Sequence, residues 1–257
     1  MKKSPLISVL LTTFNDGQYL KEAIESILNQ TFRDFEFIII NDGSTDETKE
    51  IIRSYSDNRI IHLEQENKGL ELSRNRGLDL ARGKYLAFMD GDDISHPRRL
   101  EKQVQFLESN PDIGVHVTEF KYFGDIKYEN RDKLKILPSE KQIKTLLLFR
   151  IPVIPSTGMF RMGELNQYKI RYETGWLGSD GYYFYIQLLK KLRIASTSEV
   201  LYFYRWHGEN TSIKKVSIQT ENARKLSLLA FQNQFGDEFS EKEHELLRAL
   251  FWSQSGP

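Results

Sequence analysis

Four short apolar runs alternate with amphipathic stretches over the first ninety or so residues, and that alternation leaves few folds open to the chain. The runs are "LISVLLTTF" (6–14), "FEFIII" (35–40), "RIIHLE" (59–64) and "KYLAFMD" (84–90). Each is short enough for a strand, and the first is fit for a strand buried on both faces. Between them, "YLKEAIESILNQ" places Leu20, Ala23, Ile24, Ile27 and Leu28 on one helical stripe. "TDETKEIIRSY" follows Ser44, which stands at capping-box spacing from Glu47. "GLELSRNRGLDLARG" reads as a third helix, weakened by Gly77. Repeated strand–helix–strand units with right-handed crossovers imply an α/β fold, a mostly parallel sheet flanked by helices.

Beyond Pro97 the pattern predicts a helix carrying Leu100, Val104 and Leu107, then a strand at "IGVHVTEF" (113–120). Residues 121–135 are polar and read as a hairpin or loop. "SEKQIKTLLLF" reads as helix and "IPVIPSTGMF" as extended chain broken by prolines. "SDGYYFYIQLLKK" is a further helix, "EVLYFYRWH" a strong strand, and the last forty residues are helical. Lys+Arg and Asp+Glu number 36 each, so net charge gives no argument for a nucleic-acid partner. The absence of cysteine excludes disulfides, thiolate metal sites and a cysteine nucleophile. No leader pattern or apolar run of membrane-spanning length is found, so the cytoplasm is the expected compartment, with at most peripheral contact with the inner face of a membrane.

The fourth strand runs straight into Asp90, Asp92 and Asp93, separated only by Gly91. Like charges so close raise one another's pKa unless a cation or hydrogen bonds compensate them. Two readings stand side by side: a solvated turn with Ser95 capping the helix that opens at Pro97, or oxygen ligands for Mg2+ or Mn2+ shared with a phosphate. In open α/β sheets ligands bind beyond the carboxyl ends of the strands. Three polar clusters lie at such ends: Thr12-Thr13-Phe14-Asn15, Asn41-Asp42-Gly43-Ser44 and Asp90-Gly91-Asp92-Asp93. Singly each is a turn; together they would ring one crevice. Asn41 and Asp42 suit the donor groups of a base or ribose, and Asp92 with Asp90 suits a cation bridging a diphosphate. No GxGxxG follows a strand, and Ile94 breaks the EF-hand template. His62, His96, His116 and His244 form no metal-ligand pattern and read as structural or exposed.

"ISVLLTTFN", "QTFRDFEFIIINDGSTDET", "NKGLELSRNRGLDLARGKYLAFMDGDD", "HPRRLEKQVQFLESNP" and "YRWHGENTS" together resemble the family-2 glycosyltransferases of the GT-A fold. The resemblance is strongest over 5–115 and returns at 178–183 and 204–212. It implies a Rossmann-like nucleotide-sugar-binding part (1–115), an acceptor-side part of the same GT-A domain (116–212) and a C-terminal helical extension (213–257). By resemblance Thr12, Asn41 and Asp42 read the nucleotide base, Arg74 approaches the nucleotide, Asp90 lies near the ribose and Asp92 is the metal ligand. His207 matches a position near metal and diphosphate, and Arg205 points to the same anionic site. Asp180 matches the catalytic base, where the family commonly shows an acidic pair and this chain has Ser179-Asp180. Bland alternatives remain: a helix-surface ion pair for Arg74, a helix cap for Asp180, and a core or lid place for Trp176 instead of a stack on an acceptor sugar. The implied activity is inverting, metal-dependent (Mn2+ or Mg2+) transfer from a nucleotide-sugar, a UDP-sugar favoured, to a saccharide or lipid-linked acceptor in surface polysaccharide biosynthesis. The rivals are a sugar-nucleotide-binding protein that lost turnover and, on "YLAFMDGDD" alone, a DxD phosphatase.

Overall fold

The computed structural model describes residues 4–125, 139–208, 210, 214–236 and 240–253. Of the expected hairpin or loop at 121–135, residues 121–124 belong to a strand (Val115–Gly124), while 126–135 and residues 209, 211 and 212 of the "YRWHGENTS" segment lie outside the described residues. One sheet of eight strands, in the order β3-β2-β1-β4-β7-β6-β8-β5, organises the described chain. Strand β1 (Ile7–Thr13) lies between β2 (Phe35–Asn41) and β4 (Tyr85–Asp90), parallel to both, and β3 (Ile60–Glu64) adds parallel to β2. Strands β5 (Ile94–Ser95), β6 (Val115–Gly124), β7 (Met159–Arg161) and β8 (Ile194–Trp206) complete it. Here β7 is antiparallel to both β4 and β6, while β6 and β8 run parallel through two register shifts around Glu119.

Alternate residues of a strand face opposite sides of a sheet, so the unbroken apolar runs feed two cores. Leu10, Ile38, Ile40 and Phe88 face one; Val9, Leu11, Ile39 and Met89 face the other. Helix α1 (Gly17–Leu28) buries Leu20, Ala23, Ile24 and Ile27 in the second core, leaving Leu28 half-buried at its edge. Each of the leucine and isoleucine side chains contributes about 1.5–3 kcal/mol on burial. Between α1 and the next crossover helix comes the short α2 (Thr48–Arg53). On the opposite face lies α3 (Leu70–Leu80), and on the face of α1 lies α4 (Arg99–Ser109) with Leu100, Val104 and Leu107. Gly77, a weak helix former, is required in α3 because a Cβ there would collide with Leu10 of β1.

Helices α5 (Glu140–Leu146), α6 (Met162–Gln167) and α7 (Asp180–Leu188) follow, with α8 (Val216–Phe235) and α9 (Glu241–Ser253) towards the C-terminus. Tyr182, Phe184, Tyr185 and Leu188 of α7 join the first core, beside Leu226 and Ala230 of α8. Among the described residues no helix is long and apolar enough to cross a membrane.

Two expected caps are corrected. The Ser44–Glu47 box does not form: α2 starts only at Thr48, and Ser44 Oγ accepts instead from the Asn15 N–H at 2.9 Å. Asp46 takes over, with Oδ1 accepting from Thr48 N–H and Oδ2 from Gly17 N–H. Nor does Ser95 cap α4, which begins at Arg99; it lies in β5 and its Oγ accepts from Gln30 Nε2 at 3.2 Å. In both places a donor distant in sequence takes the hydroxyl, the main chain of Asn15 in one and the side-chain amide of Gln30 in the other.

Candidate active site

Strand register brings the polar ends together. Thr12 pairs with Asp90 and Thr13 with Asn41, so the ends of β1, β2 and β4 form one rim. Thr12, Asn41 and Asp42 are all buried. The Asn41 side chain closes its own turn, with Oδ1 accepting from Ser44 N–H at 3.0 Å. Asp42 shapes the wall beside it: Oδ1 accepts from Gln65 Nε2 at 2.6 Å and Lys68 N–H at 2.9 Å, and Oδ2 from Gly69 N–H at 2.9 Å.

The turn after β4 is held from three sides. Asp90 Oδ1 accepts from Arg74 Nη2 at 3.0 Å and Oδ2 from the Ser156 hydroxyl. Asp92 Oδ2 meets His207 Nε2 at 2.9 Å and Asn210 Nδ2 at 3.3 Å. Buried Asp93 orients the turn, Oδ1 accepting from the Arg205 N–H at 2.7 Å. Arg205, expected to point to the anionic site, is otherwise engaged: Nε donates to the Asp92 carbonyl at 2.7 Å, and Cζ lies 4.5 Å from the Tyr19 ring centre and 4.4 Å from that of Phe123. It braces the turn through its main chain.

Three residues that sequence reasoning passed over belong here. Asp16 packs against Gly91, where any Cβ would collide with its carboxylate. Burial, followed by the charge of Asp92 and to a smaller extent that of Asp90, pushes the Asp16 carboxyl up to about 7. Burial and the same two neighbours drive Asp93 well above the usual carboxylate range. Ser156 comes from a 3-10 turn (Pro155–Thr157), and Asn210, besides reaching Asp92, accepts from the His207 N–H at 2.6 Å. Asp16 had a signal, a carboxylate just past the first strand end, and Asn210 lay within the "YRWHGENTS" segment; Ser156 had no local signal.

Across the rim lies Asp180, buried in the first turn of α7. Ser179, not Asp180, occupies the N-cap position, and its hydroxyl donates to the Gln219 carbonyl. Asp180 Oδ2 instead accepts from Arg74 Nη1 at 2.6 Å. Arg74 is therefore no helix-surface ion pair: buried, it bridges Asp180 and Asp90, with the rings of Tyr172 and Phe88 5.1 and 5.7 Å from Cζ. Burial opposes the Arg74 cation, but Tyr172, Asp180 and Asp90 outweigh it and hold its pKa above the ordinary value. Trp176 is half-buried and stacks on Tyr183 with ring centres 5.7 Å apart.

Among the described residues no three His, Asp or Glu side chains gather into a closed metal cage. The donor chemistry nevertheless suits a hard divalent cation in an open site. Asp92 Oδ2 and His207 Nε2, 2.9 Å apart, set an oxygen and a nitrogen donor side by side that could hold such an ion. Burial raises Asp16 and Asp93, and the charges of Asp92 and Asp90 add to the rise, a repulsion that a bound cation would relieve.

Residues 8–168 match the family model for "Glycosyl transferase family 2". The chain is 36% identical over 225 residues to an uncharacterized glycosyltransferase of Methanocaldococcus jannaschii, covering 84% of this chain and 76% of that one. Its fold is similar to that of residues 1–349 of Staphylococcus aureus TarS, solved in complex with UDP-GlcNAc, with a TM-score of 0.75 at 19% identity over 95% of this chain and 71% of that one. It is also similar to the mannosyltransferase PcManGT of Pyrobaculum calidifontis, solved with GDP-Man and Mn2+, with a TM-score of 0.62 at 15% identity over 96% of this chain and 80% of that one. Matched over well more than half its length by the family model, the chain belongs to glycosyl transferase family 2 and is a transferase enzyme built on the GT-A fold.

Proposed function

We propose that this enzyme transfers a hexosyl or N-acetylhexosaminyl group from a UDP-sugar to a hydroxyl of a saccharide or lipid-linked acceptor, with inversion, in the assembly of a surface polysaccharide. The observation that carries the reading is the Arg74 guanidinium, which joins Asp180 on one side of the rim to Asp90 on the other. A base for the acceptor and the acids for the donor thus flank one crevice. Asp180 takes the proton of the acceptor hydroxyl, whose oxygen bonds to the anomeric carbon as the carbon–oxygen bond to the diphosphate breaks. The electron pair of that bond leaves with UDP, and a single in-line displacement inverts the anomeric centre. Thr12, Asn41 and Asp42 bound the base, and Asp90 the ribose. Asp92 and His207 would hold Mn2+ or Mg2+, which supplies Lewis-acid stabilisation of the leaving diphosphate.

Support for a nucleotide-sugar donor comes from TarS, solved with UDP-GlcNAc, and PcManGT, solved with GDP-Man and Mn2+. A thermal-shift panel of UDP-, GDP- and ADP-sugars, with and without Mn2+, tests the reading. The largest Mn2+-dependent shift is expected from a UDP-sugar; no response to any nucleotide-sugar would overturn it.

A further inference from the structure

Arg74 is the point at which three elements meet. From α3 it donates to Asp180 at the start of α7, 106 residues on, and to Asp90 at the end of β4. A guanidinium is flat, forked and permanently charged, so it holds two carboxylates in a fixed geometry, where a lysine offers a point charge on a flexible stem. We propose that Arg74 is a positioning residue for catalysis: it keeps Asp180 ionised with one oxygen fixed, and ties that carboxylate to Asp90 at the donor side of the site. The inference rests on the reading of Asp180 as the base.

The groups facing Asp180 are Arg74 and Glu71 of α3, Asp90 of β4 and the phenol of Tyr172 before α7. Burial raises the Asp180 carboxyl, Arg74 opposes this, and the charges of Glu71 and Asp90 add to the rise. A carboxylate that already holds a proton cannot act as a base. Without Arg74, burial and two like charges would keep that proton in place. Asp90 draws on the same cation and also repels Asp180. Neutralising Asp90 therefore favours the ionised form of Asp180 on both counts.

The test is a 13C NMR titration of the whole chain labelled at the aspartate carboxyl carbons, with the Asp180 signal identified by its loss in Asp180→Asn. Arg74→Gln is expected to move the Asp180 midpoint up by about 1–3 pH units, the usual effect of one adjacent opposite charge. Arg74→Lys should move it up by less, and Asp90→Asn should move it down. Arg74→Gln leaves two carboxylates without their counter-ion; if it does not fold, the other two variants decide. An unmoved midpoint in Arg74→Gln, or in both Arg74→Lys and Asp90→Asn, overturns the proposal. The titration needs neither donor nor acceptor, so it is independent of the proposed transfer. Full transfer by Asp180→Asn would refute the base reading while leaving the titration result intact.

Discussion

His207 Nε2 stands 2.9 Å from Asp92 Oδ2, across 115 residues of chain. The end of β8 thereby closes over the turn after β4, and Asn210 fastens both partners. If this pair holds the cation, Asp92→Asn keeps the side chain's size and loses the charge that attracts the metal. Losing an outer-sphere partner typically costs about 10–100-fold in metal affinity, and a direct ligand should cost at least as much. Titration calorimetry of UDP with and without Mn2+ should show the Mn2+-dependent part of binding weakened by about 100-fold. Unchanged affinity with unchanged Mn2+ dependence would reduce Asp92 to a turn residue.

Asp42 accepts three hydrogen bonds from the 65–69 segment, two of them from main-chain N–H groups. Asp42→Asn turns an NH2 towards one of these donors and leaves it without an acceptor. Such a buried loss costs about 1–3 kcal/mol. Urea unfolding should show that loss, and UDP should bind more weakly because the wall beside the base is no longer held. Wild-type stability with wild-type UDP affinity would remove Asp42 from the nucleotide site.

Away from the site, His116 is buried, stacked 3.9 Å from the Phe106 ring, with Nε2 3.0 Å from Thr197 Oγ1. Burial lowers its pKa to about 4 from the ordinary 6.5. Between those values the unfolded chain binds the proton and the folded chain does not. Stability is therefore fully present above pH 6.5 and is lost as pH falls towards 4, by up to about 3 kcal/mol from this group. His116→Gln should flatten that slope in urea unfolding at pH 7, 6 and 5. An identical slope would show that folding does not lower the His116 pKa.

Strands β1, β2 and β4 were legible because burial on both faces demands unbroken apolar runs, and α1 because its stripe repeats at helical spacing. Strand β7 was not, since three residues carry no periodicity and their pairing depends on β4 and β6. The polar strand ends could be read as a set because parallel strands place their carboxyl ends on one rim. Partners chosen by tertiary contact were hidden: Arg205 turned to brace the main chain, Ser44 was drawn to Asn15, and Ser156 reached Asp90 from 66 residues away.

The most direct measurement of the central claim is UDP release from a panel of UDP-sugars with Mn2+ and saccharide acceptors, run beside UDP binding on wild type and Asp180→Asn. Ser179 holds the N-cap position of α7, so the substitution removes the carboxylate without removing a cap. Loss of a positioned general base costs about 10²–10⁴-fold in rate. The account predicts acceptor-dependent UDP release by wild type, a fall of that size in Asp180→Asn, and nearly equal UDP affinity for both. Equal turnover by the two proteins would contradict it and move the base to another residue.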